Sequence, residues 1–242
     1  MMRTLPTHRP KIKLCGFTRE PDVRSACALG ADYLGFVFYE HSPRCVPPAQ
    51  AAQLVQCMAE CKTPHAVPVG LFVNHSAAQV VAAVHTSGVQ VLQFHGTETP
   101  SFCEGLSQRL GLPYWKAVHV APDTHSDALL KLCQSYNGAQ ALLFDTASPG
   151  LVNVWGGTGH TFEWHTLAPL AHLKNVPPLV LSGGLSAQNV AQGITLLSPW
   201  AVDVSSGIEA VDGQGQPLKG IKDPLKMAAF VAAVRSTNKR IL

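Results

Sequence analysis

The sequence predicts an α/β fold, a single-domain (β/α)8 TIM barrel, and three observations support that prediction. Eight short apolar runs alternate with eight longer stretches of helical character, as in parallel strands joined by crossover helices. The chain has 242 residues, close to the usual length of an eight-fold barrel. No Gly-x-Gly-x-x-Gly fingerprint follows the first run, which weakens the alternative of an open, doubly wound sheet.

The predicted strands are bounded by turn residues and are almost wholly apolar, the pattern of parallel strands that are buried on both faces. They cover residues 11–15, 33–38, 67–73, 89–94, 114–118, 141–144, 179–181 and 201–204. Long loops are predicted after two of them, at 147–160 and 209–222. Because loops that follow barrel strands form the catalytic face, these two are candidates for covering lids, although 212–216 reads better as a surface insertion.

The predicted helices begin and end at residues with known preferences for those positions. Thr18 is expected to cap the first helix and Gly30 to end it, while Pro47 and Pro48 precede the second helix and Gly88 follows the third. The helices cover residues 21–29, 49–60, 77–85, 100–110, 126–135, 162–170, 187–196 and 224–235. No linker divides the chain, so we expect residues 1–10 to be a flexible lead and residues 11–242 to be one catalytic barrel domain.

The composition narrows the function classes. Charged residues make up only 14% and the net charge is +3 without a basic cluster, so we expect no nucleic-acid partner. No apolar run reaches the roughly 20 residues that span a bilayer, and the first ten residues lack the apolar core of a secretory signal. The odd number of scattered cysteines, seven in all, predicts free thiols in the reducing cytoplasm.

Two residues that can transfer protons end two separate predicted strands. Cys15 ends the first strand, before Gly16, and such a cysteine is either poised as a thiolate or is a small buried apolar side chain. Asp145 ends the sixth strand, where an unpaired buried charge is costly, so it either caps the following turn or faces a ligand. A carboxyl group that is partly desolvated in a barrel mouth suits a general acid.

Three further polar residues are candidates for substrate contacts. Arg44, after the second strand, offers a planar fork for a carboxylate, and the alternative is a solvated surface arginine. His95 follows the fourth strand and points the same way as Gln93 if the strand pattern holds; it is otherwise a structural histidine. Asp203, in the eighth strand, faces the barrel mouth or is a buried hydrogen-bonding acid.

Glycine-rich turns follow the seventh and eighth strands, where barrel enzymes bind phosphate through backbone N–H groups. Gly183 and Gly184 come from the first turn, and Ser206 and Gly207 from the second. Glycine allows the backbone to approach an oxyanion closely. The sequence therefore predicts a phosphorylated small-molecule ligand. Oligomeric state cannot be read from these patterns, and monomer and homodimer both stay open.

Nine stretches taken together resemble the phosphoribosylanthranilate isomerase family of tryptophan biosynthesis. They include Lys-Leu-Cys-Gly-Phe-Thr at 13–18, Ser-Pro-Arg at 42–44, Gln-Phe-His-Gly at 93–96, Leu-Phe-Asp-Thr at 143–146 and Gly-Gly-Thr-Gly at 156–159. The others are 30–38, 70–74, 181–185 with Asn189, and 202–209 with 222–223, all in family order. The chain departs from the family at Leu14, where isoleucine is usual, and in a longer segment at 211–220.

The resemblance implies an Amadori rearrangement of N-(5-phosphoribosyl)anthranilate, with neither metal nor nucleotide cofactor. It implies that Asp145 is the general acid that opens the ribose ring and that Cys15 is the general base that removes the C2 proton. Arg44 would hold the anthranilate carboxylate, the four glycine-turn residues would hold the phosphate, and His95 and Asp203 would line the sugar.

Two rival functions differ from that expectation. Indole-glycerol-phosphate synthase, another sugar-phosphate barrel, would use a lysine as general acid and carry extra N-terminal helices. A non-catalytic phosphate-ligand binder would tolerate Cys15→Ala without measurable loss. The pairing of Cys15 with Asp145 favours the isomerase over both.

Overall fold

Eight parallel strands close into a barrel in chain order, which confirms the predicted fold class. The computed structural model describes residues 9–61, 66–120, 126–146, 164–170, 173 and 175–237. The strands are β1 (Lys11–Cys15), β2 (Tyr33–Val37), β3 (Val67–Phe72), β4 (Val91–Phe94), β5 (Tyr114–Val120), β6 (Ala141–Thr146), β7 (Leu179–Leu181) and β8 (Ala201–Val204). Pairing of Lys13 with Asp203 between β1 and β8 belongs to the register that closes the ring.

Seven α-helices cover the outside of the barrel within the described residues. They are α1 (Glu20–Ala28), α2 (Pro48–Ala59), α3 (Ala77–Ser87), α4 (Pro100–Leu110), α5 (Ser126–Ser135), α6 (Val190–Leu197) and α7 (Pro224–Ser236). Proline at the first turn and glycine at the C-cap fix several ends, as at Pro100 and Gly111 of α4. None of these helices is long and apolar enough to cross a bilayer.

Two local predictions differ from the structure, and a third is not tested by it. Arg19, not Thr18, is the N-cap of α1, because the Thr18 hydroxyl instead donates to the Gly220 carbonyl. Only a short 3-10 helix, Trp164–Leu167, is seen in the described part of the predicted helix 162–170. The predicted loop 147–160, with its glycine stretch 156–159, lies outside the described residues.

The segment predicted as a long loop after β8 contains an antiparallel hairpin. Its strands are β9 (Glu209–Val211) and β10 (Pro217–Lys222), and residues 212–216 form the exposed turn between them. Glu209 and Lys222 pair across the hairpin and are both buried. The surface-insertion interpretation therefore holds for the turn, whereas the strands anchor the hairpin to the catalytic face.

Alternation along the strands separates two cores. Side chains that face outward pack with the helices in the larger cluster. Inward side chains, among them Trp115, Leu143 and Val180, fill the barrel interior. Near the carboxyl ends of the strands the inward positions turn polar, with Gln93, Asp145 and Asp203 all buried there. This change from apolar to polar filling locates the candidate site.

Candidate active site

One cavity at the carboxyl ends of the strands brings together all five residues predicted for catalysis and substrate contact. Cys15, Arg44, His95, Asp145 and Asp203 line it. The remaining lining side chains are Val37, Tyr39, Ser42, Leu71, Val73, Gln93, Ser182 and Ser205. Because these residues come from seven strands or the loops after them, the barrel register itself assembles the site.

Cys15 is buried at the end of β1, against Val37, Leu71 and Val73. Gly35, its neighbour in β2, leaves room for the thiol, since a Cβ on Gly35 would lie 2.5 Å from the Cys15 sulfur. Burial raises the pKa of the Cys15 thiol, and the positive charge of Lys13 opposes that rise without cancelling it. The thiol faces the cavity, and its pKa depends on the charges nearby.

Asp145 faces the cavity rather than serving only as a cap. Its Oδ2 lies 3.2 Å from Nε2 of His95, and the Nδ1 of His95 lies 2.9 Å from the amide nitrogen of Gln93. When the Gln93 amide donates to Nδ1, the Nε2–H of His95 donates to Oδ2. His95 therefore holds one carboxyl oxygen of a side chain that lines the cavity.

His119 stabilises the loop that carries His95. Its Nε2 donates to the His95 carbonyl over 3.1 Å, and the two rings pack at a centroid distance of 5.2 Å. Burial, aided by the nearby His95, lowers the pKa of His119 to about 4. His119 is therefore neutral at physiological pH and adds no positive charge beside Asp145.

Arg44 is buried, so the alternative of a solvated surface arginine is wrong. Its Nε and Nη2 donate to the two carboxylate oxygens of Glu209 over 2.6 and 2.8 Å. Lys222 also contacts that carboxylate, at 3.2 Å, and burial lowers the pKa of Lys222 to about 8 despite the nearby Glu209. Nη1 is not part of the fork between Arg44 and Glu209, so it can meet a ligand in the cavity.

Asp203 is paired with a lysine inside the barrel. The Lys13 ammonium lies 2.8 Å from Oδ1 of Asp203, and both side chains are buried. A carboxylate in this position needs such a partner because an unpaired buried charge is costly. Asp203 therefore has both features that the sequence offered as alternatives: it forms a hydrogen bond inside the barrel and it also lines the cavity.

The two predicted phosphate turns pack directly against each other. Gly183 and Gly184 have positive φ angles of 80° and 62°, which glycine adopts without strain. Asn189 supports the first turn by donating to the Gly184 carbonyl and accepting from the Ser186 N–H. A Cβ on Gly207 would overlap the Leu185 carbonyl oxygen, so only glycine allows this contact between the turns.

The phosphate-turn residues stand beside the cavity rather than in its wall. Gly183, Gly184, Ser206 and Gly207 do not line it, but the residue that precedes each pair does, namely Ser182 and Ser205. The Ser205 hydroxyl donates to the Cys15 carbonyl over 3.1 Å. The turns are therefore connected to the cavity that holds the thiol.

Four buried polar residues around the cavity were not singled out as site residues from the sequence: Lys13, Gln93, Glu209 and Lys222. Lys13 stands two positions before Cys15 and therefore on the same side of β1. Lys13 lies between two apolar residues, Ile12 and Leu14, in the interior of β1, and that position could have indicated its role. Within the described residues, no group of three histidine, cysteine or acidic side chains could hold a metal ion.

Comparison with known proteins points to one family. The sequence model of N-(5'-phosphoribosyl)anthranilate (PRA) isomerase matches residues 12–233. The N-(5'-phosphoribosyl)anthranilate isomerase of Ralstonia nicotianae is 44% identical over 239 residues, which cover 97% of this chain and 96% of that one. That of Acidithiobacillus ferrooxidans is also 44% identical, over 94% of this chain and 98% of the relative.

Solved structures agree with the sequence comparison. Phosphoribosyl anthranilate isomerase from Thermotoga maritima superposes with a TM-score of 0.79 at 30% identity, covering 94% of this chain and 99% of that one. A phosphoribosyl anthranilate isomerase in complex with reduced 1-(o-carboxyphenylamino)-1-deoxyribulose 5-phosphate superposes with a TM-score of 0.75 at 29% identity, with the same coverage.

Proposed function

The chain belongs to the N-(5'-phosphoribosyl)anthranilate isomerase family, and from that premise we propose that Asp145 and Cys15 perform the two proton transfers of the reaction. The enzyme converts N-(5'-phosphoribosyl)anthranilate to 1-(2-carboxyphenylamino)-1-deoxyribulose 5-phosphate in tryptophan biosynthesis. The observation that carries the proposal is the shared cavity, which both side chains line at the ends of strands on different sides of the barrel.

Asp145 acts first, as the general acid. Its carboxyl group protonates the ribose ring oxygen while the bond from that oxygen to C1 breaks, and the anthranilate nitrogen lone pair forms the C=N bond of a Schiff base. His95 supports this role because its hydrogen bond to Oδ2 orients the carboxyl group, which lines the cavity. A buried carboxyl group suits an acid that must be protonated near neutral pH.

Cys15 acts second, as the general base. Its thiolate removes the proton from C2, and the electrons of the C2–H bond form a C1=C2 double bond that neutralises the iminium nitrogen. The resulting enol-amine gains a proton at C1 and loses its hydroxyl proton to become the ketone. Both steps are proton transfers, so one acid and one base on a single bound sugar complete the reaction.

Binding is assigned to residues around this pair. Arg44 holds the anthranilate carboxylate through the N–H groups that Glu209 does not occupy, and His95 and Asp203 line the sugar. The backbone of Gly183 and Gly184, with that of Ser206 and Gly207, holds the phosphate. The close packing of the two turns supports this part, because it places their backbones side by side, and backbone N–H groups of such turns bind phosphate in other barrel enzymes.

Kinetics of two single variants test the assignment. Cys15→Ala and Asp145→Asn should each lower kcat by at least about 100-fold, the lower range for general acid–base catalysis, while the affinity for the reduced product analogue stays near that of the wild type. Cys45→Ala, at a half-buried cysteine outside the cavity, serves as the control and should retain activity. Wild-type turnover in either site variant would remove that residue from the mechanism.

The setting of the enzyme completes the proposal. A cytoplasmic location is supported by the seven cysteines, which are all free. The activity is assigned to one barrel domain, residues 11–242. Both a monomer and a homodimer are compatible with a cavity that this chain lines by itself, and light scattering of the purified protein distinguishes them.

A further inference from the structure

A lysine inside the barrel stands beneath the cysteine of the candidate site. Lys13 precedes Cys15 by two residues in β1, so both side chains point into the barrel. Its side chain is completely buried, and its ammonium lies 2.8 Å from the Asp203 carboxylate. No part of the mechanism above uses Lys13.

We propose that Lys13 is a positioning residue that sets the acidity of Cys15, by neutralising Asp203 and by placing a positive charge beside the thiol. This inference rests on the proposed role of Cys15 as the base. It deepens that role, because it names the group that allows a buried thiol to reach its reactive, ionised form.

Burial alone makes a thiolate costly at this position. Cys15 is surrounded by Val37, Leu71 and Val73, none of which can stabilise a negative charge. The Asp203 carboxylate, on the adjacent strand, would add repulsion. A cation that contacts Asp203 and also faces the thiol removes that repulsion and favours the ionised sulfur.

The direction of each influence agrees with this geometry. For Cys15, burial is the strongest and raises the pKa, Lys13 lowers it, Asp203 raises it, and Lys222 lowers it more weakly. For Lys13, burial works to lower the pKa, but Asp203 and Cys15 outweigh it and the pKa is raised. Lys13 is therefore a cation at neutral pH. Further charged or titratable groups face the thiol across the cavity: Arg44, His95 and Asp145.

The stability of the fold gives a weaker reason for this lysine. A buried ion pair often contributes little net stability, because desolvation of the two charges offsets their attraction. Apolar residues fill much of the barrel interior and could fill this layer as well. The charge is placed where it changes the chemistry of the neighbouring sulfur.

The test is the pH dependence of Cys15 alkylation by iodoacetamide, measured by mass spectrometry of the peptide that contains Cys15. Only the thiolate reacts, so the midpoint of the rate profile reports the thiol acidity. Lys13→Met should move the midpoint to higher pH by one unit or more, since an opposite charge at this range shifts a pKa by about 1–3 units. Asp203→Asn should move it to lower pH, and the double variant should fall between the two.

Two controls separate this effect from general loosening of the fold. Lys11→Met removes a lysine of the same strand that pairs with Asp32 over the same 2.8 Å but is half exposed, and it should leave the midpoint unchanged. Cys45, half-buried elsewhere, is an internal reference in every sample. If circular dichroism shows that Lys13→Met does not fold, the alkylation midpoint of Asp203→Asn still tests the proposal, because the shift predicted for that variant has the opposite sign.

An unchanged Cys15 midpoint in folded Lys13→Met, or a shift to higher pH in Asp203→Asn, would overturn the proposal. Alkylation needs no substrate, so this outcome is independent of whether Cys15 is the catalytic base. A shifted midpoint together with full activity of Cys15→Ala would instead keep the electrostatic role of Lys13 and reject the proposed base. In the wild type, the acid limb of the pH profile of kcat/KM should lie at the alkylation midpoint. In each variant that keeps activity, the limb should move together with that midpoint.

Discussion

Removal of the negative charge at Glu209 should destabilise the protein strongly and loosen the arginine that faces the cavity. Glu209 is buried and accepts hydrogen bonds from Arg44, Lys222 and the Gly220 N–H. Glu209→Gln keeps the size of the side chain but leaves two buried cations without their carboxylate. Its amide NH2 also faces the arginine donors, so one of the two fork hydrogen bonds becomes a repulsive contact.

The magnitude follows from the burial of the pair. Loss of one partner of a buried ion pair costs about 3–5 kcal/mol, and the retained amide oxygen, which can still accept from Gly220, places this variant near 3 kcal/mol. For a chain of this size each 1 kcal/mol lowers Tm by about 2–4 °C, so Tm should fall by about 6–12 °C. KM should rise as well, because Arg44 loses the contact that fixes its orientation.

Thermal unfolding followed by circular dichroism measures the effect, with Glu60→Gln as the matched control. Glu60 also pairs with an arginine, Arg24 at 3.1 Å, but both side chains are half exposed. Loss of that exposed pair should leave Tm nearly unchanged, since solvent screens it. Equal changes in Tm for the two variants would refute the reasoning that burial makes the Glu209 pair important.

The pH dependence supplies a second check on the same variant. Burial works to raise the pKa of Glu209, but Arg44 and Lys222 outweigh it and hold the pKa below its ordinary value of 4.5. A carboxyl group whose pKa is lowered by folding contributes stability above its unfolded pKa and loses it as the pH falls through the folded pKa. The difference in Tm between the wild type and Glu209→Gln should therefore be full at neutral pH and shrink below pH 4.5.

Two further predictions concern ligand binding. Gly207→Ala should abolish the rise in Tm that inorganic phosphate gives the wild type, because a Cβ there overlaps the Leu185 carbonyl and separates the two turns. Gly213→Ala, whose Cβ would meet nothing within 4 Å, should keep that rise, and an equal rise in both variants would remove Gly207 from the phosphate site. Arg44→Lys keeps the charge but loses the planar guanidinium, which binds Glu209 through Nε and Nη2 and leaves Nη1 for the substrate, so steady-state kinetics should show a higher KM with kcat nearly unchanged. An unchanged KM would exclude Arg44 from substrate binding.

The fold and the grouping of the site were predictable because both follow from strand periodicity. Once β1 and β6 are recognised as parallel strands of one barrel, Cys15 and Asp145 at their carboxyl ends must meet at the same mouth. The two glycine turns lie together for the same reason, since β7 and β8 are neighbours. These conclusions need only local sequence and a closed topology.

The charge partners were not predictable, because they depend on contacts between distant residues. Arg44 and Glu209 are 165 positions apart, and Lys13 and Asp203 are 190 apart. No local pattern states that these charges neutralise each other inside the fold. The prediction that Thr18 caps α1 was wrong for a related reason, since the Thr18 hydroxyl donates a hydrogen bond to the Gly220 carbonyl of the distant hairpin.

The most direct test of the central claim is a single-turnover borohydride quench with N-(5'-phosphoribosyl)anthranilate and excess enzyme. With borodeuteride as the reductant, the Schiff base becomes an amine that carries deuterium at C1, whereas the ketone product gains deuterium at C2, so the label at C1 reports whether the ribose ring has opened before the C2 proton leaves. If Asp145 opens the ring and Cys15 removes the C2 proton, Cys15→Ala accumulates the reduced amine and Asp145→Asn does not. Accumulation in Asp145→Asn instead, or equally in both variants, would contradict the assigned order of acid and base.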